Sequence, residues 1–452
     1  MFTRVLVANR GEIAVRVIRA LHELGVEAVA IYSTADRGAP HVELADRAVC
    51  VGPPAAAESY LHIPNVVAAA ETTGCEAVHP GYGFLAENPA FARACEDEGL
   101  VFVGPSADVL ERMGDKVRAK QELRAAGVPL VPGTEGAATL EEARAAAREA
   151  GFPVLLKASA GGGGKGMRLV ASEEELAEAY AAASREAASA FGDGSLYVEK
   201  LLSPARHVEI QVLCDAEGGV LTLGERECSV QRRHQKLIEE SPSPALDEAT
   251  REAMESAVER ACRAIGYRNA GTFEFLLGPD GGFHFIEVNC RLQVEHPVTE
   301  LVTGIDIVRE QVRLAAGERL SRAGRAPRRG HAIEIRINAE DPARGFAPAP
   351  GLVTAFEPPL GPGVRVDTGI RAGQAIPPYY DSLVAKVIVW DETRPAAIAR
   401  ARRALAELRI EGVATTRELA LDVLGSPEFL SGGYSTSTLA ELQGRLPSLA
   451  AA

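Results

Sequence analysis

The chain has 452 residues, 46% of them hydrophobic and 24% charged, and a formal net charge of −14. Length and composition are those of a globular protein with roughly two to four domains, not of a disordered or fibrous chain. The acidic balance excludes a global field drawing it to nucleic acid or an anionic membrane, so any phosphate must be met by local lysines and arginines.

Residues 3–8 read as a strand that the chain enters directly after Met1. Glu12 to Leu24 carries Ile13, Val17, Leu21 and Leu24 at helical spacing, with Gly25 as the stop, and Val26 to Tyr32 reads as the next strand. This β-α-β opening, recurring through Ala77–Gly83 and Leu100–Gly104, predicts a parallel sheet. Asn9-Arg-Gly-Glu12 closes the first strand either as a structural turn or as a nucleotide turn. His79-Pro-Gly-Tyr-Gly presents Tyr82, with site-lining and structural roles equally open. Asp115 is placed to cap a helix running to Ala126, and Lys116 sits in its first turn, the end at which the helix dipole disfavours a cation.

Val154-Leu-Leu-Lys157 reads as a strand, Ala158 to Gly166 as a glycine-rich tip, and Met167 to Val170 as a second strand. Gly161, Gly163 and Gly166 match G-x-G-x-x-G in spacing, but the dinucleotide fingerprint needs a helix after the glycines and here a strand follows. A hairpin tip whose backbone N–H groups can lie on phosphates remains. Lys157 and Lys165 at its two ends suit that role better than a linker's. Ala-rich helices at 139–150 and 173–190 frame a small α+β lobe, a candidate lid. Glu199-Lys200-Leu201-Leu202 follows, placed either to receive an adenine amino group or to close an edge strand. His207, Glu209 and Gln211 share one parity of the next strand, and His207 is open to a structural or a nucleotide role. Gly224 to Lys236, with Gln231 and His234, is cation-rich and reads as a solvated basic turn or as an anion site.

From Phe283 to His296 the parity is sharp: Glu287, Asn289, Arg291, Gln293 and Glu295 alternate with Val288, Cys290, Leu292 and Val294. This predicts an extended polar face over the whole stretch. Gly271 to Leu277, joined across Gly278-Pro-Asp-Gly-Gly282, makes the partner of a hairpin and sets Glu274 within about a residue of Glu287. Two carboxylates and an amide are hard oxygen ligands suited to Mg²⁺. Gly317 to Arg329, with five arginines, reads as a linker. His331 to Asp341 alternates Ile333, Ile335 and Ile337 with Glu334, Arg336 and Asn338 and opens a mainly antiparallel last module. No apolar run approaches ~20 residues, so neither a signal peptide nor a membrane span is expected. The seven cysteines lack any C-x-x-C and read as small buried hydrophobes in a reducing, cytoplasmic compartment.

Glycine hairpin, paired lysines, acid–acid–amide cluster and trailing arginine together describe ATP chemistry. At this point the chain resembles biotin carboxylase, an ATP-grasp enzyme. The likeness runs from Ala8–Ile13 through His79–Phe84, Met113–Lys116, Lys157-Ala-Ser, Glu199-Lys200, Arg206–Gln211, Gln231–Lys236, Glu287-Val-Asn and Arg291–Thr299 to Arg336–Asp341. It implies an α/β fold: an N-terminal parallel-sheet (Rossmann-like) domain over 1–115 and an ATP-grasp α+β domain over 116–330. The mobile glycine-rich lid would span about 130–203, and a C-terminal antiparallel-sheet cap would span 331–446. It implies that ATP phosphorylates bicarbonate to carboxyphosphate, which releases the CO₂ that carboxylates N1′ of biotin on a carrier.

The resemblance assigns ATP to Lys116, Lys157, Gly163, Gly164, Glu199–Leu202, His207, Gln231 and His234, and Mg²⁺ or Mn²⁺ to Glu274, Glu287 and Asn289. Bicarbonate goes to Lys236, Arg291, Gln293, the Val294 backbone and Glu295, with Glu295 as base beside Arg291. Arg336 is assigned to the biotin enolate and to the bicarbonate, with Tyr82 near the biotin. The lid departs mildly, with Ala160 for a glycine and Lys165 for an arginine, which forgoes a bidentate grip there. No biotinylation motif or transcarboxylase domain is found. The expected partners are therefore a biotin carboxyl carrier protein and carboxyltransferase subunits, with a homodimer expected from the resemblance. Acetyl-CoA is the default acceptor; propionyl-CoA, methylcrotonyl-CoA, pyruvate and urea systems are the alternatives. Another ATP-grasp ligase would not be expected to carry Arg291–Glu295 followed by the 331–341 module. A catalytically dead subunit would be expected to lose a metal ligand.

Overall fold

The computed structural model describes residues 1–134, 136–159, 167–442 and 444–449. The lid tip with Gly163, Gly164 and Lys165 lies outside them. Strands β1 (Arg4–Val7), β2 (Glu27–Ser33), β3 (Arg47–Gly52), β4 (Ala77–His79) and β5 (Val101–Phe102) form a parallel sheet in the order β3-β2-β1-β4-β5. Helix α1 (Gly11–Glu23) joins β1 to β2 and buries Ile13, Val17 and Leu21, the predicted stripe. The carboxylate of Asp115 accepts from the N–H groups of Val117 and Arg118 and so caps α2 (Lys116–Ala125) as expected.

The lobe that follows comprises α3 (Leu140–Ala150), β6 (Val154–Ala158), β7 (Met167–Val170), α4 (Glu173–Phe191) and β8 (Leu196–Lys200). Its sheet runs β7-β6-β8, and both helices pack on the face carrying Val154, Leu156 and Val198. Just before it, Gly133 bridges to Glu199 with φ +157°, and a Cβ there would lie 2.0 Å from the Val198 carbonyl oxygen, so only glycine fits.

The main sheet has nine strands among the described residues. They include β9 (Arg206–Cys214), β10 (Val220–Arg232), β11 (Gln235–Ser241), β12 (Asn269–Leu277) and β13 (Phe283–Asn289). Beyond them come β14 (His331–Asn338), β15 (Val364–Thr368) and β16 (Leu383–Asp391). The order is β13-β12-β9-β10-β11-β14-β16-β15, antiparallel throughout, with Gly324–Arg325 added parallel to β10. The sheet is unbroken across residue 330, since β11 of the second segment pairs directly with β14 of the third (Ile238↔Ile335).

Helix α5 (Glu248–Ile265) covers one face of this sheet, where Met254, Val258 and Cys262 join a core with Val208, Ile210, Phe273 and Phe275. Each fully buried Phe contributes roughly 1.5–3 kcal/mol of transfer free energy. Period-two alternation sends His207, Glu209 and Gln211 to the other face, yet all three are buried there. A face this polar and this dry must satisfy its charges internally, and that requirement builds the site.

Two expectations change. The strand from Phe283 ends at Asn289 rather than running to His296, because the Cys290 N–H bonds Glu87 Oε1 at 2.9 Å and Pro297 opens helix α6 (His296–Thr303). The arginine-rich segment is no free linker: Arg328 ion-pairs with Glu248 at 3.2 Å, Glu225 at 3.5 Å and Glu255 at 3.7 Å. Six cysteines are buried as expected, while Cys50 is exposed. No helix of the described residues is long and apolar enough to cross a membrane.

Candidate active site

A cleft of about 1010 Å³ opens over the polar face of the main sheet, between the lid lobe and the parallel-sheet domain. Its floor is a row of acids: Glu287 on β13 faces Glu274 on β12, beside a bulge between Glu274 and Phe275, and Glu274 faces Glu209 on β9. The hairpin thus delivers the predicted Glu274–Glu287 pair. Arg226 on β10 continues the row and is fully buried. It binds Glu209 Oε1 at 2.6 Å, Gln211 Oε1 at 2.7 Å, Thr299 Oγ1 at 3.0 Å and Thr272 Oγ1 at 3.1 Å. This fork locks the floor.

Lys236 stands over the row and spends its three ammonium hydrogens on three carboxylates. The contacts are Glu209 Oε2 at 2.5 Å, Glu295 Oε1 at 2.6 Å and Glu274 Oε1 at 2.9 Å. Burial opposes its charge, but those acids outweigh burial and hold its pKa well above the lysine range. Burial likewise raises Glu209 and Glu274, and Lys236 with Arg226 and His207 reverses that, holding both well below the carboxylate range. Glu287 goes the other way, pushed up by burial and by the charge of Glu274.

A divalent cation shared by Glu274 and Glu287 would remove that repulsion, and Asn289, whose amide donates to Glu274 Oε1 at 2.9 Å, adds a third oxygen. The donor set therefore fits Mg²⁺ or Mn²⁺. His207, Glu209 and Glu274 also bring ligand atoms within 4.8 Å of one another, but the Lys236 ammonium already sits among them. His207 Nε2 lies 3.1 Å from Glu274 Oε2; burial lowers its pKa, and that carboxylate raises it to about 9.

Beyond Asn289 the chain turns, and Arg291, Gln293, Val294 and Glu295 enter the cleft from this turn rather than from a strand face. Gln293 donates to Glu274 Oε1 at 3.0 Å. Arg291 pairs with Glu87 Oε2 at 2.8 Å and donates to Asn289 Oδ1 at 2.8 Å. Glu295 has no solvent exposure and lies between Lys236 and Arg336, whose Nη2 donates to its Oε2 at 3.0 Å. The expected partner of Glu295 is thus corrected: Lys236 and Arg336, not Arg291, make its hydrogen bonds. The outcome stands, because these cations overcome burial and keep Glu295 below the ordinary carboxylate range. Arg336 also ion-pairs with Glu239 at 2.6 Å, misaligned for a hydrogen bond.

At the other end, Lys116, Lys157, Leu201, Leu202, His207, Gln231 and His234 line the cleft. His234 and Arg233 form the two-residue turn between β10 and β11 with φ +67° and +48°, so the supposed basic turn is a tight hairpin tip facing the cleft. Two non-glycine residues in that region cost on the order of 1 kcal/mol each, a strain that collects at functional sites. Two predicted residues do not reach in. Glu199 is buried and bound by both Lys120 and Lys157, and Lys200 Nζ donates to the Gly151 carbonyl at 2.7 Å. Tyr82 lines the cleft and gives its hydroxyl to Glu12.

Sequence reasoning passes over Glu87, Arg226, Glu239 and Lys386. Lys386 interrupts an apolar strand, the same signal that marks Lys157, whereas Arg226 stands between Glu225 and Glu227 in the cation-rich 224–236 segment and is not singled out there. Glu87 is far in sequence from Arg291 and carries no such mark.

A sheet that presents paired acids fit for a divalent cation beneath a lysine-bearing hairpin lobe, with a cleft between, defines an ATP-grasp enzyme. Comparison with known proteins narrows the class. Residues 1–110 match the biotin carboxylase N-terminal domain, 115–323 the carbamoyl-phosphate synthase L chain ATP-binding domain, and 334–441 the biotin carboxylase C-terminal domain. The chain is 52% identical over 443 residues to the biotin carboxylase of Nostoc sp., covering 98% of this chain and 99% of that protein. It is 51% identical over 438 residues to a pyruvate carboxylase subunit of Methanothermobacter thermautotrophicus, covering 96% and 89%.

Among solved structures it is similar to the biotin carboxylase–β,γ-ATP complex of Campylobacter jejuni, with TM-score 0.94, 47% identity and coverage of 98% and 99%. It is also similar to the biotin carboxylase domain dimer of Hydrogenobacter thermophilus 2-oxoglutarate carboxylase with MgADP, ADP and bicarbonate, with TM-score 0.93, 49% identity and 98% of each chain covered. The chain belongs to the biotin carboxylase family.

Proposed function

We infer that this enzyme carboxylates biotin at the expense of ATP, taking the carbon from bicarbonate by way of carboxyphosphate. The observation that carries the reading is Glu295: buried, ionised, and held between Lys236 and Arg336 at the end of the acid row. A carboxylate kept charged and away from water is placed to take the proton of bicarbonate, and Lys236, Arg291, Gln293 and the Val294 backbone would seat the anion beside it. Arg336 would steady the biotin enolate, with Tyr82 as the wall of that subsite.

Lys116 and Lys157, with Gly163 and Gly164 of the lid, would take the phosphates. His207, Gln231, His234 and the backbone of Glu199–Leu202 would take the rest of the nucleotide. Glu274, Glu287 and Asn289 would hold Mg²⁺ or Mn²⁺, which when bound neutralises charge on the phosphates. A mobile lid would keep carboxyphosphate from water.

The corresponding domains are 1–115, 116–330 with a lid at about 130–203, and 331–446. The biotin would arrive on a separate carrier protein, with carboxyltransferase subunits completing the assembly, and the chain would act as a cytoplasmic homodimer. Acetyl-CoA is the acceptor we assign. The Methanothermobacter relative favours pyruvate as the second reading, because the acceptor is chosen by another polypeptide.

The test is ADP release from Mg-ATP and bicarbonate, with and without free biotin. Biotin stimulation that disappears when bicarbonate is withheld is the expected result; ADP release indifferent to biotin in the presence of bicarbonate would overturn the reading.

A further inference from the structure

We propose that Lys386 is a positioning residue that fixes the bicarbonate turn and the biotin wall of the cleft in one register; the proposal rests on the two subsites assigned above. Lys386 lies mid-way along β16 with no solvent exposure, flanked across the sheet by Arg336 on β14 and Asp367 on β15. A lysine is almost never buried so completely unless its charge is engaged.

Here the closest engagement is not the acid on its own row. Lys386 Nζ donates to the carbonyl of Val294 at 2.7 Å and lies 3.4 Å from Glu12 Oε1, while Asp367 Oδ2 stands 4.0 Å away. Glu12 is itself buried and accepts the hydroxyl of Tyr82. One ammonium therefore joins the peptide leading into Glu295 to the carboxylate that holds Tyr82. The first lies in the turn before α6, the second on α1 of the parallel-sheet domain. These segments are distant in sequence, and this contact ties the polar ends of both to the strand that carries it.

The electrostatics agree with the geometry. Burial lowers the pKa of Lys386, and Glu12, Glu334 and Asp367 outweigh it, so the residue stays charged. Glu334 does not substitute for Glu12 in the contact, since both its carboxylate oxygens are buried without a hydrogen-bond partner. A lysine kept only for stability would serve a carboxylate of the sheet. This one spends its best hydrogen bond on the backbone next to the catalytic base.

The experiment uses the full chain with Lys386→Met, which keeps the side chain's length and removes its donor. The KM values for bicarbonate, biotin and Mg-ATP are then measured at saturating partners. The expected result is a rise of about tenfold in the KM for bicarbonate and for biotin, with that for Mg-ATP within twofold. Unchanged bicarbonate and biotin KM values, or an equal rise for all three substrates, overturn the proposal. Should Lys386→Met not fold, Glu12→Gln decides. It keeps an acceptor for Tyr82, removes the charge opposite Lys386 and lies outside the bicarbonate turn, so a raised bicarbonate KM supports the coupling and an unchanged one refutes it. The wild-type control separates the two levels: absent biotin-stimulated ADP release removes the functional assignment itself, whereas normal release with an indifferent variant removes only Lys386.

Discussion

The two ends of the cleft hold opposite surpluses. Over the main sheet, Glu209, Glu274 and Glu295 converge on Lys236, Glu287 stands beside Glu274, and Arg226 and Arg336 lie behind them. At the lid end, Lys120 and Lys157 share the single carboxylate of Glu199, and Lys116 lines the cleft nearby. One end has acids that an incoming cation would relieve; the other has ammonium groups that an incoming anion would relieve. A metal–triphosphate matches that polarity end to end, exchanging the internal partners of Glu274, Asn289 and Lys157 for metal and phosphate. Raised Glu287 and lowered Lys120 carry the same message, since in each a group of like charge helps burial to disfavour the charged form.

The largest expected effect comes from the acid end. Glu287→Gln removes a charge from the proposed metal site while keeping shape, and should cut turnover by at least ~10²-fold with circular dichroism and Tm little changed. Normal activity in that variant would end the metal assignment and with it the contrast between the ends. Next is Arg336→Ala, which frees one oxygen of Glu295 and leaves Lys236 in place. It should lower biotin carboxylation by ~10²-fold while bicarbonate-dependent ADP release stays measurable. Equal loss of both activities would argue that Arg336 serves Glu295 alone. Lys157→Met acts at the other end: the KM for Mg-ATP should rise about tenfold, with kcat within a few-fold, because phosphate binding loses one of several cations. A change confined to kcat would place Lys157 in the chemistry instead.

Much of this polarity was legible in the residues. A short hairpin sets Glu274 within about a residue of Glu287, and a bulge between Glu274 and Phe275, which no local signal announces, brings the two directly opposite. Asp115, Gly25 and the stripe of α1 are local signals that tertiary structure had no reason to override. The Glu295 environment was not legible. Parity carried the strand to His296, but a remote carboxylate, Glu87, takes the Cys290 N–H and ends the ladder at Asn289. Arg291 and Glu295 then part company, and no periodicity in one strand can report a competitor from another. Glu199 shows the same limit, since its partners Lys120 and Lys157 lie on α2 and β6. Lys386 was legible in kind, as a charge inside an apolar strand, though nothing local could name Val294 as its acceptor.

The smallest expected effect lies away from both ends and checks that acid sensitivity is not confined to the cleft. His41 in the parallel-sheet domain is fully buried, with Nε2 3.3 Å from the Ile31 carbonyl. Burial pushes its pKa down to about 4, against the pull of Asp36. A histidine depressed in the folded state binds its proton more readily once unfolded. Its contribution is therefore fully present above the ordinary histidine pKa, is lost as pH falls from there toward about 4, and is worth ~3 kcal/mol across that window. His41→Leu removes the titration and keeps an apolar side chain. The pH dependence of its apparent Tm between neutrality and pH ~4 should be shallower than that of the wild type by about one proton's worth. Parallel Tm profiles would mean that His41 is not the group, and that the acid limb belongs to the lowered carboxylates of the cleft floor.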